Sequence, residues 1–247
     1  MKRSHFFFLA LLAVGSALFF TACTNDDEES PVLGMDFEYL VNGEAFDTSR
    51  VYDINGTAVK FSIANFYVGG ITFESEEGAE TEMTDKYLLV TPESGMQEIG
   101  TLPVGHQHML KYFIGVGPDE NGQTESDFTN RKSDDPLSVQ FPAMHWNWLS
   151  GYRFIRVDGK VDTNGDGVPD ESMEIHIGTN PFLTNLEFTI HKDVEAGMNP
   201  LHFEFDLAKL FEGIDLSQDH LTHTGDNMGL ANKFVGNLPN AFKYMHE

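Results

Sequence analysis

The stretch Lys60-Phe61-Ser62-Ile63-Ala64-Asn65-Phe66-Tyr67-Val68-Gly69-Gly70-Ile71-Thr72-Phe73 is dense in β-branched and aromatic side chains. Such residues suit a pleated, half-buried surface, so the segment reads as a strand. The same texture recurs on both sides of it. Met35 to Val41 alternates and runs into the hairpin signal Asn42-Gly43. Tyr87 to Thr91, Met109 to Val116, Leu137 to Phe141, Trp148 to Val161, Met173 to Ile177, Leu186 to Ile190 and Leu201 to Phe205 are further runs of this kind, punctuated by glycines and acidic clusters. No repeat of fixed period and no interdomain linker interrupts them. The expected architecture is therefore mainly β, a single β-sandwich over residues 34–247 with long loops. Glu74 to Asp85 and Gly117 to Pro136 are the long polar segments, expected to be exposed and mobile. One short helix breaks the pattern. Met228, Leu230, Ala231, Phe234, Val235, Leu238, Ala241 and Phe242 recur at helical spacing, which predicts an amphipathic helix over about 227–243, kinked near Pro239 and capped by Asp226 or Asn227.

The N-terminus specifies an address. Lys2 and Arg3 precede an apolar run from Phe6 to Phe20, too short and wrongly flanked for a membrane span, and small residues lead to Cys23. Residues 1–22 read as a signal peptide. Cys23 is the single cysteine, so it forms no disulfide within the chain. Thr21-Ala22-Cys23 resembles a bacterial lipobox, which implies cleavage before Cys23 and attachment of lipid to it. The acidic residues that follow, within 23–33, bury nothing and read as a solvated tether. The expected location is the cell envelope: anchored by lipid to the outer membrane, periplasmic or surface-exposed.

The chain carries 39 acidic against 15 basic residues, a net charge of −24, which becomes more negative when Lys2 and Arg3 leave with the leader. Such a surface repels phosphate backbones and attracts cations, so nucleic acid is excluded as a partner. Nothing suggests an enzyme: there is no nucleophile beside a base and no phosphate loop.

Asp162-Thr163-Asn164-Gly165-Asp166-Gly167-Val168-Pro169-Asp170 places oxygen-bearing side chains at loop positions 1, 3, 5 and 9, glycine at 6 and a backbone carbonyl, that of Val168, at 7. That spacing wraps calcium, and Asp162, Asn164, Asp166, Val168 and Asp170 are its candidate ligands. An EF-hand has glutamate at position 12; here it is Met173, with Glu171 and Glu174 on either side. Strands flank the loop, so the expectation is a structural calcium loop in a β-hairpin. An acidic turn held by Asx bonds is the alternative.

Both tryptophans of the chain fall in Met144-His145-Trp146-Asn147-Trp148-Leu149-Ser150-Gly151-Tyr152. On a strand Trp146 and Trp148 share one face, and His145 faces the other way. Copper is held by imidazole and by thioether or thiolate, and a neighbouring indole can shield such a site. An aromatic core strand with an incidental histidine is the plainer alternative. His176 lies mid-strand with Glu174 on its face, and His223 sits in His220-Leu221-Thr222-His223-Thr224-Gly225 just before the helix. His106 and His108 are two apart and could chelate, though no third ligand is visible beside them; His191 and His202 fall at strand ends.

Phe61 to Val68, Met144 to Tyr152, Ile175-His176-Ile177-Gly178 and Thr222-His223-Thr224 to Phe242, in that order, resemble the MbnP-like proteins, the copper-binding partners associated with methanobactin operons. The resemblance spans essentially the whole mature chain. It implies a β-rich envelope protein that binds copper through histidines, with a tryptophan oxidised to kynurenine by a dihaem peroxidase-like partner. Carried to this chain, it implicates His176 and His223 as ligands and Trp146 or Trp148 as the modified residue, Trp146 being preferred; His145 is a weaker match, since many relatives have tyrosine there. A calcium-stabilised sandwich that binds a protein or glycan through the tryptophan face is the competing reading.

Overall fold

The computed structural model describes residues 29–147 and 149–246. The leader, Cys23 and Trp148 lie outside the described residues. The strands are β1 (Val32–Val41), β2 (Glu44–Ala45), β3 (Tyr52–Ile54), β4 (Thr57–Ser75), β5 (Glu80–Glu82), β6 (Leu88–Val90), β7 (Gln97–Gly100), β8 (Gly105–Ile114), β9 (His145–Asn147), β10 (Gly151–Val161), β11 (Glu171–Gly178), β12 (Thr184–Val194), β13 (Met198–Asp206), β14 (Leu221–Thr222) and β15 (Phe242–Tyr244). The helices are α1 (Pro118–Asn121), α2 (Glu125–Thr129) and α3 (Met228–Ala241). They form the expected β-sandwich. One sheet runs β15-β13-β1-β2, with β7 also on β1; the other runs β12-β8-β4-β10-β11-β14, with β3, β5 and β6 on β4 and β9 on β10.

Between the sheets lies an aromatic core. Phe66 of β4 meets Phe37 edge-on at 5.3 Å, Phe205 at 4.9 Å and Phe242 at 5.3 Å between ring centroids. Edge-to-face contacts of this kind add to the burial of the rings. β4 changes which parity faces this core as it runs. Val59 and Phe61 are buried with Lys60 and Ser62 exposed, then Ala64, Phe66 and Val68 take over, then Ile71 and Phe73. Each change coincides with a register shift, one opposite Asp158/Gly159 and one at Gly69 to Thr72, where Gly70 has φ +60°. One extra residue in a strand does this.

The middle of β4 is buried on its other face too, where Tyr67 packs with Leu137, Met144, Tyr152 and Phe154 in a second cluster. The segment expected as a long loop, 117–136, is what covers it. That segment folds into α1 and α2, and the residues that follow are tied down: Tyr152 Oη donates to the Leu137 carbonyl at 2.7 Å, and Tyr67 Oη to that of Pro136 at 3.2 Å. The other expected loop, 74–85, is likewise partly regular, because β5 pairs with β4 and Lys111 bridges Glu74 and Glu80.

One boundary differs from the sequence reading, and the helix falls close to it. β1 starts at Val32, inside the stretch read as tether, since Leu33 is fully buried and pairs with Asn199 of β13. α3 spans Met228–Ala241 with Pro239 inside it, and its cap is Asn227, whose side chain accepts from Leu230 N.

Candidate metal centre

β10 and β11 form a hairpin in which Arg156 stands opposite His176 and Asp158 opposite Glu174. β14 lies parallel to β11, with Leu221 beside Glu174 and Thr222 beside Ile175, so the next residue, His223, arrives at the Glu174-His176 face. Glu174, His176 and His223 thereby form the one group of three or more such side chains, among the described residues, whose ligand atoms all lie within 4.8 Å of one another. The two imidazole rings cross nearly perpendicularly, 4.9 Å apart.

His176 is held by a carboxylate through one nitrogen, and His223 through both. His176 Nε2 lies 2.6 Å from Asp158 Oδ1, and Asp158 Oδ2 accepts from Arg156 Nε at 2.8 Å. Burial works to raise the pKa of Asp158, but the hydrogen bonds from His176 and Arg156 outweigh it and keep the carboxyl below its usual range. His223 Nδ1 lies 2.9 Å from Asp226 Oδ2, while its Nε2 stands 3.2 Å from Glu174 Oε2. His176 is 4% exposed, and its Nδ1 is buried without a hydrogen-bond partner. Leaving a buried polar atom unsatisfied costs about 1–3 kcal/mol, so such an atom calls for an explanation. A carboxylate that fixes one ring nitrogen and leaves the other facing a shared point is the usual surrounding of a metal-binding histidine. Two nitrogens and a carboxylate oxygen fit a borderline or soft transition ion.

Thr224 fastens the two histidines together. Its backbone has φ +70°, a sterically costly setting for a β-branched residue. Its hydroxyl donates to the His176 carbonyl at 2.9 Å and accepts from Gly178 N at 3.0 Å, locking the turn that carries His223 onto the strand that carries His176.

The family model named MbnP matches residues 30–228. The chain belongs to the MbnP family. Its fold is similar to the solved structure of MbnP from Methylosinus trichosporium, with a TM-score of 0.52 and 18% identity over 76% of this chain and 80% of that one. No curated protein sequence matches the chain.

The MbnP-family fold brings three of the five copper candidates close together. His176 and His223 form the centre. Trp146, half-buried, lies against Gly178 two residues beyond His176: a Cβ on Gly178 would come within 2.5 Å of Trp146 Cζ3. The Arg153 guanidinium sits over the indole at 5.6 Å. Trp146, His223 and Thr224 line one open cleft of about 650 Å³, with Leu149, Phe182 and Met228. Trp148 lies outside the described residues. His145 points elsewhere, as strand alternation requires, and stacks on Phe128 at 3.9 Å within the second cluster. Burial there, reinforced by Arg153, pulls its pKa down to about 4.

The Asp162–Asp170 loop is the tip of the β10–β11 hairpin, as the strands flanking it predict. Its carboxylates form no group like that of Glu174, His176 and His223 among the described residues. Asp162 instead accepts from the amides of Asn164, Gly165 and Gly167, Asn164 Oδ1 from Asp166 N, and Asp166 Oδ1 from Val168 N. Asp158, Asp226 and Thr224 are the site residues that sequence reasoning passed over. Asp158 leaves no signal without the strand register, whereas Thr224 stood in the Thr222-His223-Thr224 motif with no role assigned, and Asp226 was visible three positions from His223 but read as a helix cap.

Proposed function

We propose that this protein is an extracytoplasmic lipoprotein that binds copper between His176 and His223, and that it is a binding protein rather than an enzyme. The observation that carries the reading is the buried, unpartnered Nδ1 of His176 beside a second imidazole, each ring oriented by its own carboxylate. Two imidazoles suffice for Cu(I), and Glu174 adds an oxygen that a harder oxidation state accepts. Held by His176 and His223, copper would supply a redox-active ion to the cleft that Trp146 lines with His223, in keeping with oxidation of that indole to kynurenine by a dihaem peroxidase-like partner. Asp158 and Asp226 hold the ring tautomers, Thr224 holds the spacing, and Trp146 with Leu149 and Met228 walls the cleft. No helix among the described residues is long and apolar enough to cross a membrane; attachment is proposed through lipid on Cys23. The Asp162–Asp170 loop is read as a structural calcium site on its ligand spacing and hairpin context.

The apolar cleft beside Trp146 favours the second reading, a calcium-stabilised module that binds a protein or glycan on its aromatic face. One experiment separates the two. Protein from its native envelope is analysed for metal and intact mass, and wild type and His176→Ala are titrated with Cu(I) against a chelator. Copper near one equivalent, lost in the variant, supports the copper reading; oxidation mass on the peptide containing Trp146 and Trp148 brings in the haem partner. Calcium alone, with no competition for Cu(I), leaves the binding module.

A further inference from the structure

At the edge of the ten-stranded sheet opposite β11 and β14, three more histidines converge. His106 and His108 share a face of β8. On β12, Asp193 pairs with His106 and Lys192 with Gln107, whereas Thr189 pairs with Met109, so Ile190 and His191 together stand opposite His108. This bulge keeps Ile190 buried and leaves His191 exposed with φ +43°. Bulges re-aim side chains in this way. Here the re-aimed ring meets His108, with Nδ1 to Nδ1 at 3.4 Å and ring centroids at 4.6 Å. Two nitrogens bound tetrahedrally to one ion at ~2.0–2.1 Å lie about 3.3 Å apart, so this pair is already spaced as ligands. The His106 ring is 5.8 Å from that of His191, and Asp193 Oδ1 lies 2.7 Å from its Nδ1; the three rings do not bring one ligand atom each within 4.8 Å of one another here, so His106 joins the pair by rotation of its side chain.

We propose that His106, His108 and His191 form a second metal site, for a divalent nitrogen-preferring ion such as Zn²⁺ or Cu²⁺, with Asp193 orienting His106. Three imidazoles and water suit such ions, whereas two imidazoles suit Cu(I), so the two edges of the sheet differ in the ion they take. A cleft of about 450 Å³, lined in part by His191, Asp193, Glu195 and His246, adjoins the cluster and gives solvent and ion access. The acidic surface raises the local cation concentration around it.

The test is titration of the full chain with Zn²⁺ against a chelator, in wild type, His108→Gln/His191→Gln and His176→Ala, with circular dichroism as the control for folding. The double variant is expected to lose at least ~10-fold in affinity at this site, while His176→Ala keeps it. An unchanged affinity in the double variant overturns the proposal, as does loss confined to His176→Ala. Should the double variant misfold, trace Cu²⁺ added to the unaltered protein decides. Selective NMR broadening of His106, His108 and His191 supports the site, and broadening that spares them overturns it.

Discussion

The two ends of one hairpin make opposite use of polar groups. At its tip, the side chains of Asp162, Asn164 and Asp166 are taken up by the backbone amides of their own loop. Toward the other end, about 17 Å along β11 at ~3.3 Å per residue, His176 Nδ1 is buried with no partner while His223 and Glu174 stand beside it. The loop's own amides occupy these oxygens in the absence of an ion. Tyr39 Oη, Tyr112 Oη and Arg153 Nε are also buried without partners, but only the His176 nitrogen stands beside two further ligand side chains. Clustered acidic residues therefore announce a site less surely than one unsatisfied imidazole does.

The largest expected effect breaks this contrast outright. His176→Ala should weaken Cu(I) binding by more than ~100-fold, beyond the ~10–100-fold typical of losing an orienting partner, whereas Asp162→Ala should leave it within about twofold, since distant sites act independently. Competition titration of both variants is the check, and comparable losses would mean that the hairpin acts as a unit. Asp162→Ala should instead speed hydrogen exchange at the amides of Asn164, Gly165 and Gly167.

Next in size is Asp158→Asn, which keeps the shape but weakens the hold on His176; a loss of ~10–100-fold in Cu(I) affinity is expected. The same variant sharpens the pH dependence. Because folding depresses the Asp158 pKa, its stabilising contribution is fully present above the unfolded value of about 4 and disappears as pH falls through the lower folded one. The stability gap between wild type and Asp158→Asn should thus be widest near neutrality and close in acid, as urea melts across pH 2–7 would reveal. The smallest effect is expected from Gly178→Ala. Its methyl collides with the indole of Trp146 and with the Tyr152 carbonyl, so tryptophan fluorescence should shift and its quenching by copper diminish, with Cu(I) affinity falling by less than for Asp158→Asn.

Much of this was legible in the chain. Alternation and aromatic density located β1, β4, β8, β10, β11, β12 and β13, and helical spacing located α3. The two parity changes in β4 were not legible, because a bulge is settled by the partner strand: Gly159 of β10 has no room for a Cβ, which would meet the Lys60 carbonyl at 2.4 Å. Nor was the burial of Tyr67, since polar composition hid the fact that segment 117–136 covers the sheet. His176 and His223 were marked by their motifs, but their meeting depends on β14 lying beside β11. His191 was read as a strand-end residue, and only the bulge in β12 sets it against His108.

The short pairing of β14 with β11 has a further consequence. A two-residue ladder, the Glu174 amide on the His220 carbonyl, the His223–Glu174 contact and the Thr224 hydroxyl are what join the turn before α3 to the hairpin among the described residues. An ion shared by His176 and His223 would close that seam like a clasp, and its grip would grow with the logarithm of free metal over the dissociation constant. Susceptibility of the C-terminal segment to cutting by a protease would then become a gauge of how much metal the protein carries.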